Sequence, residues 1–236
     1  MPNLLTPAAS NPKTARNGAD YEAAILHLAP HTVAGVGNVC PWATDGCASA
    51  CLNTAGRGQM STVQAARIRK TREFFDNPRA FWHALAAEID CLDRRAKRKG
   101  KTGVIRLNGT SDIPWERQKV EGLTLMGCFP DVQFYDYTKS ADRAVRFGLG
   151  SFPPNYHLTL SRGEHQSEDV IRRHAPRGVN VAVVFDTLPE TWAGRPVVDA
   201  TQDDWRFLDP RGVIAGLLPK GKAKRDESGF VVKTQQ

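Results

Sequence analysis

At 236 residues, 41% of them hydrophobic and 24% charged, the chain can bury about 70% of its unfolded surface, so it needs neither metal nor disulfides merely to fold. No apolar run approaches the roughly 20 residues that cross a bilayer, and the start MPNLLTPAASNPKTARNGAD lacks a basic-then-apolar leader, which predicts a cytoplasmic protein with no membrane partner. Five cysteines in that compartment argue for metal or catalytic use of any clustered subset, while the net charge of +7 favours an anionic partner without identifying it.

In chain order, residues 1–20 are rich in Pro, Asn, Ala and Thr and read as an irregular arm. Ala24–Ala29 is an apolar run stopped by Pro30, a short buried strand. Residues 31–58 form a Gly-rich loop carrying three cysteines; loops this long inside a compact domain are usually functional. Ser61 is a good N-cap for a helix to about Phe75. Asn77-Pro78 opens a second helix, with Phe81, Leu85, Ile89 and Leu92 at helical spacing, ending in the basic run Arg94–Lys101.

Beyond it, strands are expected over Gly103–Leu107, Val132–Tyr137, Tyr156–Leu160, Val179–Phe185 and Val213–Leu217, with a short one at Pro196–Asp199. Helices are expected over Asp142–Leu149 and Glu168–Ala175. Strands alternating with helices imply βαβ units. The expectation is one α/β domain over 21–225, with a tail at 226–236. Its sheet would be a partial (β/α)6 barrel-like parallel sheet or an open doubly wound one; in both, ligands bind beyond the carboxyl ends of the strands.

The segment Cys40-Pro-Trp-Ala-Thr-Asp-Gly-Cys47-Ala-Ser-Ala-Cys51 separates its thiols by six and three residues. Three thiolates on a short loop can close around one metal centre. Structural zinc wants four ligands, usually in paired CxxC steps; here it would recruit His31 or Asp45. A [4Fe–4S] cluster on three cysteines leaves one iron open. Buried structural thiols are the remaining alternative.

A strand, a cysteine loop, a helix and about five further βα units resemble the core of the radical S-adenosylmethionine enzymes, although the usual gaps there are three and two residues. The resemblance implies a [4Fe–4S] cluster on Cys40, Cys47 and Cys51 whose open iron binds S-adenosylmethionine. The segments CPWATDGCASACLNTAGRG, RLNGTSDIPWE and FYDYTKS are also similar to a family of phage and prophage proteins, from Tyr21 to Lys224. That likeness implies a viral or mobile-element setting.

The polar groups after each strand are the other candidates. Asn108, Ser111 and Asp112 sit where the resemblance places S-adenosylmethionine; a turn capping the next helix is the plain alternative. Asp136, Tyr137 and Lys139 bring together a carboxylate, a phenol and an amine suited to substrate contact or proton transfer, with a solvated turn capped by Ser140 as the alternative. Asp186 could hold a ribose, and Lys220 an anion.

The basic segments Arg67–Arg72, Arg94–Lys101 and Lys220–Arg225 are either solvated faces or a phosphate-binding surface. Three functions compete: an iron–sulfur enzyme acting on a small-molecule or nucleotide substrate, a metal-bearing nucleic-acid-binding protein without chemistry, and an iron–sulfur lyase or redox enzyme that uses the open iron directly.

Overall fold

A computed structural model describes residues 3–7, 20–176 and 178–234. The strands are β1 (Leu5–Pro7), β2 (Tyr21–Leu26), β3 (Thr102–Arg106), β4 (Gln133–Thr138), β5 (Tyr156–Ser161), β6 (Val181–Phe185), β7 (Thr191–Trp192), β8 (Arg195–Asp199), β9 (Ile214–Leu217) and β10 (Val231–Val232). The helices are α1 (Asp45–Ser49), α2 (Ser61–Asp76), α3 (Pro78–Arg98), α4 (Leu125–Cys128), α5 (Ala141–Gly148) and α6 (Glu168–His174). Most residues of the expected arm lie outside the described residues, but Leu5–Pro7 pairs with β2 and is a strand. The stretch expected as a loop over 31–58 carries α1 and two 3-10 turns.

The chain folds into two compact units that interleave in sequence. One is Met1–Pro41 with Ser61–Asp136 and Phe152–His157; the other is Trp42–Met60 with Tyr137–Ser151 and Leu158–Gln236. Both are mixed α/β, built on mostly parallel strands.

In the first unit β2 pairs parallel with β3 from Tyr21↔Thr102 to Ile25↔Arg106, and β3 pairs parallel with β4. β1 closes the edge antiparallel, Leu5 opposite Leu26. The apolar spacing of α3 has its expected use: Phe81, Leu85, Ile89, Leu92 and Ala96 are buried and the helix lies against β2 and β3. Asn77 caps it by accepting from Ala80 N, with Pro78 at the first turn, where its missing N–H costs nothing.

In the second unit the order is β5-β6-β9-β8-β7. All pairings are parallel except β7 with β8, and β10 adds in parallel to β6. Leu160, Val181, Val183, Phe185 and Ile214 form its core with Ile171 of α6 and Ala144 of α5. Near-continuous apolar runs such as Val181–Phe185 are what doubly covered parallel strands require. No helix of the described residues is long and apolar enough to cross a membrane.

Candidate functional site

The first unit gathers polar groups after β2, β3 and β4. Asp136, near the end of β4, is fully buried. Its Oδ1 accepts the Asn108 backbone N–H at 2.7 Å, and its Oδ2 accepts Asn108 Nδ2 at 3.1 Å and the Tyr156 hydroxyl at 2.8 Å. Asn108 in turn donates through Nδ2 to Ile113 O and accepts through Oδ1 from Ser111 Oγ at 2.8 Å and Ile113 N at 2.9 Å. A carboxylate so engaged orients its neighbours, and a satisfied buried network fixes a single arrangement. Asp136 and Asn108 therefore shape the 108–113 loop.

That loop holds the start of the cysteine segment. Asp112 N donates to Val39 O at 2.8 Å, and Cys40 Sγ lies 3.7 Å from Thr110 O. The thiol also accepts the His31 backbone N–H at 3.4 Å. His31 has φ 52°, in the left-handed region that few residues other than glycine adopt. Gly109 donates to Leu26 O at 2.9 Å, and a Cβ there would stand 2.4 Å from His27 Nδ1 and 2.7 Å from Ile25 Cγ2. Gly109→Ala is expected to cost about 1–3 kcal/mol through overpacking, measured by denaturant unfolding; an unchanged midpoint would show that the loop yields.

Cys47 and Cys51 belong to the second unit, Cys47 within α1 and Cys51 just past it. Thr44 caps α1 by accepting from Cys47 N at 3.3 Å. All three clustered cysteines are half-buried, whereas Cys91 is exposed. Among the described residues no group of three or more His, Cys, Asp or Glu side chains is gathered so as to hold a metal ion.

Three of the remaining candidates, Tyr137, Lys139 and Asp186, have structural partners. Tyr137 donates to Asp204 at 3.2 Å. Lys139 Nζ donates to Ser161 Oγ at 3.1 Å and Arg162 O at 2.8 Å, and lies 5.1 Å from the Phe230 ring centroid. Asp186 Oδ1 accepts from Thr187 N, Thr234 N and Thr234 Oγ1, which secures the segment after β10. Burial pushes its carboxyl up, and the Thr234 and Thr187 bonds more than offset this, leaving it below the ordinary value. Lys220 is exposed; the turn after it packs on Ala55, where a Cβ on Gly221 would stand 3.0 Å from the Ala55 Cβ.

The first two basic segments are largely committed. Arg67 and Lys70 are buried, with Lys70 Nζ on Leu4 O. Arg94 pairs with Asp90, Arg95 and Lys99 with Glu22, and Lys97 with Asp93 and Asp131.

The sequence profile of one family, described as gene product 88, matches residues 3–234. The chain belongs to the gene product 88 family. The match is consistent with the phage-type family its motifs resemble. No curated protein and no solved structure matches the chain.

In this gene product 88 member, sequence reasoning passed over Glu164. Its carboxylate accepts from Thr44 Oγ1 and from Gly46 N at 2.8 Å, so it holds the turn that opens the Cys47 helix. Its only local signal is a carboxylate three residues after β5; the partners lie about 120 positions away. Burial pushes Glu164 up, but these hydrogen bonds outweigh it and hold the group below the usual glutamate value of 4.5. The resulting stability is present above that value and lost as pH falls through the folded-state value. Glu164→Gln is therefore expected to lose about 1–3 kcal/mol at neutral pH, with the gap to the parent closing below pH 4.5 in a denaturation series. A gap independent of pH would contradict this role.

Proposed function

We propose that the chain is an iron–sulfur enzyme of radical S-adenosylmethionine type, with Cys40, Cys47 and Cys51 as ligands of a [4Fe–4S] cluster. The observation that carries the reading is the stitching of the Cys40 segment to the loop after β3, through Asp112 N to Val39 O and the Cys40 thiol beside Thr110 O. What supports the donor set is that three thiols lie within twelve residues and one already accepts a backbone N–H, the bond that tunes cluster sulfurs; the described side chains are not gathered around one metal position. Zinc would want a fourth protein ligand. Bound there, a reduced cluster would supply the electron that cleaves the sulfonium of S-adenosylmethionine and so begins hydrogen abstraction.

The chain's own residues have separate tasks in this reading. Ser111 and Asp112 receive the ammonium group of S-adenosylmethionine, on a loop that Asn108 and Asp136 hold rigid. Tyr137, oriented by Asp204, faces the substrate, while Lys139 braces the end of β5 and Asp186 anchors the C-terminal segment. Lys220 and its exposed neighbours Lys222, Lys224 and Arg225 suit an anionic substrate, a nucleotide or nucleic acid, whereas Arg94, Arg95, Lys97 and Lys99 of the second basic run have internal carboxylate partners. As the finer fold this reading takes a partial (β/α)6 barrel; within the units the parallel strands β2-β3-β4 and β5-β6-β9 follow chain order, and β8 and β7 then run back beside β9. Residues 21–225 would then act as one functional domain in the cytoplasm.

Anaerobically reconstituted protein, given S-adenosylmethionine and the one-electron donor dithionite, is expected to yield 5′-deoxyadenosine. Loaded protein that forms none would refute the radical chemistry.

A further inference from the structure

In the second unit the turn Gly221–Arg225, with Lys220 before it, carries Lys220, Lys222, Lys224 and Arg225, all of them exposed. None of the four has a carboxylate partner among the described residues. The cations of α6 differ: Arg172 and Arg173 are also exposed, but they face Glu168 and Asp169. Asp226, next in sequence to the turn, is engaged elsewhere, its Oδ1 accepting from Ser228 Oγ at 2.7 Å and its Oδ2 from Val231 N at 2.9 Å. Exposed Glu227 pairs with none of the four cations.

The fold holds this turn on a fixed base. Ala223 is 5% exposed and packs with Ala50 and Val231, and its N–H donates to Lys220 O at 3.1 Å. Asp226 N closes the far end on Ala223 O at 3.2 Å. Gly221 has φ 55°, and a Cβ there would stand 3.2 Å from Thr54 O, so the turn begins close against the stretch that follows Cys51. Ala50, which shares the apolar cluster with Ala223, immediately precedes Cys51. Within this one unit, the unpaired cations are therefore presented beside the end of the cysteine segment.

We propose that this turn binds the phosphate backbone of a nucleic-acid strand without regard to base sequence. Like charges left unneutralised repel one another, and four of them close together match a ligand that repeats its negative charge. The counterions that such a polyanion releases supply the driving force. An anionic bilayer is the other extended polyanion, but interfacial segments bury apolar side chains beside their cations, and here the apolar residue of the turn, Ala223, is buried in the protein. That the strand is the substrate rests on the iron–sulfur reading; that it binds does not.

The test is the fluorescence anisotropy of a labelled DNA of roughly 20 nucleotides, longer than a single-strand site, offered single-stranded and as a duplex to the full-length protein as isolated. At least one form is expected to bind at low salt and to weaken about 50- to 150-fold between 50 and 200 mM salt, the loss that four neutralised phosphates predict. Lys222→Gln and Lys224→Gln should each lower the slope of log affinity against log salt by about 1. Replacing Lys220, Lys222, Lys224 and Arg225 together by Gln should lower the low-salt affinity about tenfold or more, with the unfolding midpoint unchanged. Arg172→Gln combined with Arg173→Gln removes cations that are already paired and should leave binding at the parental level. Iron, sulfide and S-adenosylmethionine take no part in this readout, so a failure here leaves the cluster reading standing, and a failed reconstitution leaves this surface standing. No binding of either DNA form at low salt, parental binding by the fourfold variant, or an equal loss in the paired-arginine variant would each overturn the proposal. So would displacement of the DNA by AMP at equal phosphate concentration, which marks a small-anion site, or pelleting with phosphatidylserine vesicles in place of DNA binding.

Discussion

Asp136→Ala is expected to destabilise the chain by about 3–5 kcal/mol, the cost of removing one partner from a buried charged network. The fully buried carboxylate accepts from Asn108 N, Asn108 Nδ2 and the Tyr156 hydroxyl, so truncation takes an acceptor from three donors that water cannot reach. Two graded variants separate this from general damage. Asp136→Asn keeps one acceptor oxygen and is expected to lose about half as much. Tyr156→Phe removes a single donor and is expected to lose about 1 kcal/mol. Denaturant unfolding of the three variants reads the series. Equal losses in all three, or a parental midpoint for Asp136→Ala, would show that the network does not hold the ends of β3 and β4.

The second large effect concerns the thiols. Cys40→Ala, Cys47→Ala and Cys51→Ala are each expected to abolish iron retention after anaerobic reconstitution, because two thiolates do not hold a four-iron cluster against loss. Cys91→Ala and Cys128→Ala are the controls and should retain the parental iron. Burial pushes the Cys128 thiol up, away from the thiolate that metals bind, and Cys91 lies exposed on α3. Equal iron in all five variants would mean adventitious binding.

How far the sequence spoke depended on whether the cause of a feature was local. The apolar run Val181–Phe185 and the spacing Phe81, Leu85, Ile89, Leu92 are one-dimensional signals, and the strand and helix stand within two residues of where they point. β1 and β10 span only three and two residues and exist because β2 and β6 offer them an edge, which no local pattern encodes. The candidate residues divide the same way. Asn108, Asp112 and Asp136 were legible as polar groups after strands, but their roles depend on partners up to 73 positions distant, such as Val39 for Asp112. The basic run Arg94–Lys101 reads equally as a solvated face or a phosphate surface until Glu22, 73 residues before Arg95, is seen to take Arg95 and Lys99.

The proposed iron–sulfur centre is tested most directly by counting iron and acid-labile sulfide per chain in parental protein reconstituted without oxygen and freed of unbound metal. The account predicts about four of each per chain, the composition of a [4Fe–4S] cluster. Stoichiometric zinc in their place, or iron and sulfide at background, would contradict it.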